Sequence, residues 1–196
     1  IDAAGNMHAH FLDYFNWFSI VGGIALALLT YLHGLNYITL KTTGPVSQRA
    51  QNYAQAFYWV LYVGEVIFAL LLLFQTDFIA VHPIATLVCL VLIVGFSVWA
   101  HVATFKNKQG YAFTASGLTL ISLVTLIFCG LFPRVMISSI SAKYDLLIQS
   151  ASSSHYTLIV MTIATVILVP CVLAYTIWAY WIFRKRIEMP RIGEAN

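Results

Sequence analysis

Tyr156-Thr-Leu-Ile-Val-Met-Thr-Ile-Ala-Thr-Val-Ile-Leu-Val-Pro170-Cys-Val-Leu-Ala-Tyr-Thr-Ile-Trp178-Ala-Tyr-Trp-Ile-Phe183, followed by Arg184-Lys185-Arg186, decides the fold. No charged residue falls between Tyr156 and Phe183. At about 1.5 Å per residue, a helix of that length crosses the roughly 30 Å hydrocarbon core of a bilayer. Tyr175, Trp178, Tyr180 and Trp181 stand where such a helix leaves the bilayer, and the basic triplet behind them belongs in the cytoplasm. Pro170 removes one hydrogen bond and crowds the carbonyl of Val166, so a kink is expected there.

Working outward, four more apolar runs cover about 17–40, 57–74, 84–105 and 111–132. The whole chain is 61% hydrophobic and 9% charged over 196 residues, whereas a soluble domain carries about 25% charged residues. Backbone in lipid must satisfy its own hydrogen bonds, which makes helices the default and strands not. The expectation is an all-α polytopic membrane protein, a single transmembrane domain over 1–196 with five helices in a bundle, the last over 156–183. The net charge of +3 sits at helix ends and reads as a topology signal, not as a site for nucleic acid. Cys89, Cys129 and Cys171 lie inside apolar runs without CxxC spacing and read as buried free thiols. A cleavable signal peptide is not expected, and the opening Ile1 suggests a fragment or a processed product.

The connecting segments set a direction. Lys41 and Arg49, Lys106 and Lys108, and Arg184, Lys185, Arg186 and Arg191 alternate onto one side. The other side holds Arg134 and Lys143, with Asp77 after the second run and no Lys or Arg before residue 17. The positive-inside rule then predicts an external N-terminus and a cytoplasmic C-terminus. The external loop 133–155 carries Val135, Met136, Ile137, Ile140, Leu146, Leu147 and Ile148. That is apolar for a solvated loop, so it is expected on the membrane surface or against a partner. Ser152, Ser153 and Ser154 offer N-caps for the final helix.

Glu65 sits near the centre of the second run with apolar residues on both sides. A charge at mid-helix costs about 2.5–3.5 kcal/mol on insertion scales, so an acid at that depth is protonated or turned toward a polar interior. Gln51, Gln55, Tyr58, Tyr62 and Glu65 follow helical steps along one face. The stripe reads either as a proton or water path from the cytoplasm or as an interhelical hydrogen-bond seam. His33 shares a face with Thr30 and Tyr37, and His101 with Ser97 and Thr104. The two histidines read as a bis-imidazole haem pair, as interhelical hydrogen bonding, or as a polar cluster converging with Glu65. His8, His10, His82 and His155 fall in external segments and read as solvated rather than metal-bound. Gly22, Gly23 and Gly117 suit close helix packing, and Thr119, Ser122, Thr125 and Cys129 read as packing contacts. Phosphate loops, HExxH and nucleophile elbows are absent from the sequence.

Three stretches carry a resemblance. Phe132-Pro133-Arg134-Val135-Met136-Ile137-Ser138-Ser139, Ala151-Ser-Ser-Ser-His-Tyr-Thr-Leu158, and Val169-Pro170 through Trp178-Ala-Tyr-Trp-Ile-Phe-Arg184 resemble the C-terminal signature of subunit II of cytochrome bd-type quinol oxidases. Leu32-His33-Gly34 and the turn Leu40-Lys41-Thr42-Thr43-Gly44, with Arg49-Ala50 after it, are similar to that family's mid-chain loop. The chain departs from the family at Arg134, Ile137 and His155, where Tyr, Pro and often Pro are usual. The family's subunit II is longer, and this chain looks like its last five helices without the Trp-Asp-Gly motif of the N-terminal part. The resemblance implies a bacterial inner-membrane complex that oxidises quinol, reduces dioxygen to water and draws protons from the cytoplasm. It places haem b558, haem b595 and haem d in a partner, subunit I, and implies that no haem or metal is bound here. The chain's implied role is to stabilise subunit I and to contribute proton, quinone or oxygen access. It is not catalytic alone, and there is room for a bound quinone and a small accessory subunit. The alternative is a proton-coupled secondary transporter using Glu65.

Overall fold

A computed structural model describes residues 15–138 and 141–185. His8, His10, Ser139, Ile140, Arg186 and Arg191, all named above, lie outside the described residues. The elements in chain order are α1 (Trp17–Lys41), α2 (Pro45–Gln75), the single turn α3 (Phe78–Val81), α4 (Pro83–Phe105) and α5 (Gln109–Leu131). Then come β1 (Arg134–Met136), β2 (Leu146–Leu147), the single turn α6 (Ile148–Ala151) and α7 (His155–Ile182). Five of these helices, α1, α2, α4, α5 and α7, are long and apolar enough to cross a membrane. The described residues divide into two compact units, 15–132 and 133–185.

In the first unit α1 packs on α2 and α5, and α4 packs on α5 and α2, closing a ring of four helices. Short connections make the neighbours antiparallel. The buried interior sets leucines such as Leu29, Leu32, Leu35 and Leu61 beside small and polar residues: Ala50, Ala54 and Tyr58 on α2, Ser97, Ala100 and Thr104 on α4, Ala112, Ala115 and Thr119 on α5. Ile24, Val66, Val91 and Ile121 are exposed, so the outer surface is apolar where that of a water-soluble bundle is polar. Lipid is as apolar as leucine, so association relies on close backbone approach and on hydrogen bonds between helices.

The turns follow from local chemistry. Gly44 has φ +72°, a left-handed conformation that costs glycine little, and Pro45 follows at the first position of α2. The helix thus begins well before the apolar run at 57. At 31 residues it measures roughly 46 Å, so its polar first turns project beyond the hydrocarbon core. The hinge between α4 and α5 is a Schellman cap on Asn107, φ +55°. There Asn107 N–H bonds Thr104 O at 3.3 Å and Lys108 N–H bonds Ala103 O at 2.9 Å. At the opposite end, the Phe78 ring of α3 lies on Gly130 of α5 where a Cβ would otherwise stand. Phe78, Phe68, Leu72, Cys89, Ile93 and Leu126 form an apolar cluster there. His82 Nε2 lies 2.7 Å from the carbonyl oxygen of Phe132, the cap of α5.

The second unit gives the loop 133–155 a structure of its own. β1 and β2 pair antiparallel, with Arg134 opposite Leu147 and Met136 opposite Leu146. Asp145 holds the hairpin: one oxygen accepts from Ser138 N–H at 2.8 Å, and the other lies 3.5 Å from Arg134 Nη1. Ser154 is the N-cap of α7, its hydroxyl accepting from Thr157 N–H at 3.4 Å. α7 runs as one helix through Pro170, with none of its residues buried, and the Arg184 guanidinium lies over the Trp181 ring at 4.4 Å. The three cysteines are free, but Cys171 is exposed and Cys129 half-buried, which corrects the expectation that all three are buried.

Candidate functional site

The α2 stripe meets α4. Gln51 Nε2 donates to Thr104 O at 2.8 Å, where α4 ends. One turn along, Asn36 of α1 inserts into the seam, fully buried. Its Nδ2 donates to Tyr58 Oη at 2.9 Å and approaches Ala112 O at 3.5 Å, while Thr104 Oγ1 donates to its Oδ1 at 3.3 Å. Deeper still, Tyr62 Oη and His101 Nδ1 lie 2.8 Å apart. Ser97 Oγ then donates to Glu65 Oε2 at 3.2 Å. Ser97 lies about 12 Å along α4 from its Phe105 end, so the seam reaches the middle of the bundle.

His101 is enclosed by aromatic rings. Tyr58 stacks on it at 4.8 Å and Phe105 lies at 5.0 Å, with Trp59 edge-on at 5.6 Å and Tyr62 at 5.6 Å. Among the described residues, two side-chain atoms of this seam are buried without a hydrogen-bond partner: Glu65 Oε1 and His101 Nε2.

Of the residues singled out in the sequence, Gln51, Tyr58, Tyr62, Glu65 and His101 come together here. Gln55 is half-buried on the same helix and makes no side-chain hydrogen bond among the described residues. His33 faces elsewhere: its Nδ1 lies 2.8 Å from Ser116 Oγ, and its ring stacks on Phe113 at 4.4 Å. The two histidines therefore serve different interfaces, α1/α5 and α2/α4, and no hydrogen bond or ring contact joins His33 to His101 or Glu65 among the described residues. Sequence reasoning missed Asn36, the hub of the seam, and Ser116. The available signal was an amide inside an apolar run, three residues from His33.

A second feature lies toward the opposite end of α1. A cavity of about 300 Å³ is lined by Phe18, Gly22, Leu26, Phe68, Leu123 and Ile127, among others. Its wall contains no histidine and is almost wholly apolar. A haem would need an imidazole opening onto a space for the macrocycle. His101 is 6% exposed inside its aromatic box and His33 is stacked on Phe113, so neither of these two histidines is placed as a haem ligand. Among the described residues no group of three or more His, Cys, Asp or Glu side chains is placed to hold a metal ion.

Carboxyl, imidazole and phenol side chains in line from a polar helix end to mid-membrane are groups that exchange protons. Comparison with known proteins bears on what such a seam serves. The family model for cytochrome bd terminal oxidase subunit II matches residues 1–183. The chain is 44% identical over 188 residues to a cytochrome bd ubiquinol oxidase subunit 2 of Bacillus subtilis, covering 96% of this chain and 56% of that protein. It is 42% identical over 81 residues to a cytochrome bd-I ubiquinol oxidase subunit 2 of Escherichia coli, covering 41% and 21% respectively. A probable cytochrome oxidase subunit 2 of Haemophilus influenzae is 25% identical over 205 aligned positions, 87% of this chain and 52% of that protein. The chain thus spans about half the length of the relatives it matches along most of its own length. It belongs to the cytochrome bd terminal oxidase subunit II family.

Proposed function

We propose that the chain works as part of the non-haem subunit of a bacterial bd-type quinol:dioxygen oxidoreductase in the cytoplasmic membrane. The haem-bearing subunit I is its partner and holds haem b558, haem b595 and haem d. A haem supplies electron transfer and dioxygen chemistry when bound there. What this chain contributes is a bundle that braces the partner and a polar route for protons. The observation that carries this reading is the α2/α4 seam, in which polar side chains run from Gln51 at a helix end through the titratable pair Tyr62 and His101 to Glu65 at mid-bundle. Lys41 and Arg49 flank the connection from α1 to α2, and Lys106 and Lys108 flank that from α4 to α5. By the positive-inside rule this end of the bundle is cytoplasmic, the C-terminus lies inside and the N-terminus outside. The seam then opens toward the compartment from which protons are drawn.

The apolar cavity beside Phe18 and Phe68 supports a second contribution, a place for a quinone or a route for dioxygen, both of which partition into apolar space. The exposed apolar length of α7 suits a membrane anchor beside lipid or the partner. The transporter alternative is not favoured by the family to which the chain belongs. The test is purification of the chain from its native membrane. It is expected to bring a haem-bearing partner with it, and its deletion is expected to abolish quinol oxidation. A chain that purifies alone, in cells whose quinol oxidation survives the deletion, contradicts the proposal.

A further inference from the structure

The seam of α2 and α4 is a ladder with one step missing. One rung is Tyr62 with His101, at 2.8 Å. The next is Glu65 with Ser97, at 3.2 Å. Tyr62 and Glu65 are three residues apart on α2, and Ser97 and His101 four apart on α4, so the rungs are separated by about one helical pitch, 5.4 Å. Each rung leaves one polar atom over, Glu65 Oε1 on one side and His101 Nε2 on the other. Both atoms are buried and lack a partner among the described residues.

Two hydrogen bonds of about 2.8 Å placed end to end span the distance between rungs. Buried waters characteristically bind polar groups that otherwise have no partner. Both atoms are enclosed, and the imidazole is boxed by Tyr58, Trp59, Tyr62 and Phe105. Because both atoms are buried, a partner's side chain reaches them only by opening the seam, which leaves a small polar molecule such as water as the occupant to test. We propose that Glu65 Oε1 and His101 Nε2 hold a buried water between them, and that this water joins Glu65, His101 and Tyr62 into one proton-transfer unit.

The transfer balances without any further reactant. With neutral Glu65 protonated on Oε1, and His101 carrying its hydrogen on Nδ1 toward Tyr62 Oη, Nε2 has a free lone pair. Glu65 gives its proton to the water, and the water gives one of its own to Nε2. The products are a carboxylate and an imidazolium bridged by the same water, and the net charge of the unit stays zero. That neutrality is what the membrane interior requires. The single hydrogen of Ser97 Oγ lies between Val94 O at 3.0 Å and Glu65 Oε2 at 3.2 Å, and it turns to Oε2 as the carboxylate forms. His101 is a proton-relay residue and Ser97 a positioning residue.

The relay deepens the proton-access reading and rests on it for the direction of transfer, but the water can be tested apart from turnover. In a cryo-electron microscopy map of the assembled complex fine enough to show ordered water, density is expected within hydrogen-bond distance of both atoms. A dry seam, or one in which Glu65 Oε1 meets a protein group instead, overturns the proposal while leaving the oxidase role standing. Infrared difference spectra of the same complex give an independent readout. His101→Phe is expected to shift the Glu65 carboxyl band and to remove the isotope-sensitive water band seen in H₂¹⁸O. An unshifted carboxyl band in a folded His101→Phe complex overturns the relay. If that variant does not assemble, the wild-type map and the wild-type ¹⁸O shift decide the question, since absence of both the density and the shift also overturns it.

Discussion

Replacing Asn36 by alanine should weaken the first unit by about 1–2 kcal/mol, and the reason lies in how few protons its partners have to give. Thr104 Oγ1 has a single hydrogen, with acceptors at Ala100 O, 2.8 Å, and Asn36 Oδ1, 3.3 Å. The shorter bond takes most of it. The Asn36 Nδ2 to Ala112 O approach, at 3.5 Å, is at the limit of a hydrogen bond and adds little. The bond that matters is Nδ2–H to Tyr58 Oη at 2.9 Å. Interhelical side-chain hydrogen bonds in membranes average about 0.6 kcal/mol and reach about 1.7 kcal/mol. The small cavity left by the carboxamide adds the rest. Tyr58→Phe removes the acceptor while keeping the ring that stacks on His101. A double-mutant cycle of Asn36→Ala with Tyr58→Phe, measured by equilibrium unfolding in mixed micelles, should return a coupling of about 0.5–1 kcal/mol. Strict additivity of the two substitutions would refute the hydrogen bond, and with it Asn36 as the hub of the seam.

Gly130→Ala should cost about 1–3 kcal/mol by overpacking against Phe78, and Phe78→Leu should restore part of the loss. Thermal unfolding of the single and double variants checks this, and equal loss in both would show that the ring is not the obstacle. In the second unit, Asp145→Ala loses both the Ser138 N–H bond and the Arg134 pair, whose side chains are only 11% and 6% exposed. Arg134→Met removes the pair but leaves the Ser138 bond to Asp145 in place. The first should open the 133–155 hairpin to protease faster than the second, by about 1–3 kcal/mol of local stability; the reverse order would place the main support on Arg134. His33→Phe should preserve the stack on Phe113 and lose only the Ser116 bond, about 0.6 kcal/mol, with proton uptake unchanged. A large fall in uptake would draw His33 into the proton route.

The spans are legible in the sequence because bilayer thickness demands long uncharged runs, and residues such as Ile24, Val91 and Ile121 that make those runs apolar are the ones turned outward. The start of α2 is not, since 45–56 is polar and the signal there is a proline after a glycine rather than hydropathy. α3, β1 and β2 are too short to carry a period, and their shapes depend on single contacts such as Phe78 on Gly130 and Asp145 on Ser138. Helical spacing does place Tyr58, Tyr62 and Glu65 on one face, and Ser97, His101 and Thr104 on another. Which helix each face meets is decided by packing. α1 touches both α2 and α5, so His33 turns to Ser116 while Asn36, one turn on, turns to Tyr58. The small-residue steps Ala112, Ala115, Thr119 and Ser122 on α5 mark the buried stripe and are present in the sequence as a spacing of three and four.

The most direct measurement is proton uptake by the assembled oxidase in sealed vesicles, comparing wild type with Glu65→Gln. Gln keeps the size of the side chain and an oxygen that accepts from Ser97, but it carries no acidic proton. Quinol-driven uptake from the side of Lys41 and Lys106 should fall by roughly 10²-fold, the lower end of what a positioned proton-transfer group supplies, while the haem spectrum of the complex stays the same. Unchanged turnover and unchanged uptake would contradict a proton route through the α2/α4 seam and leave that seam as a hydrogen-bonded contact between helices.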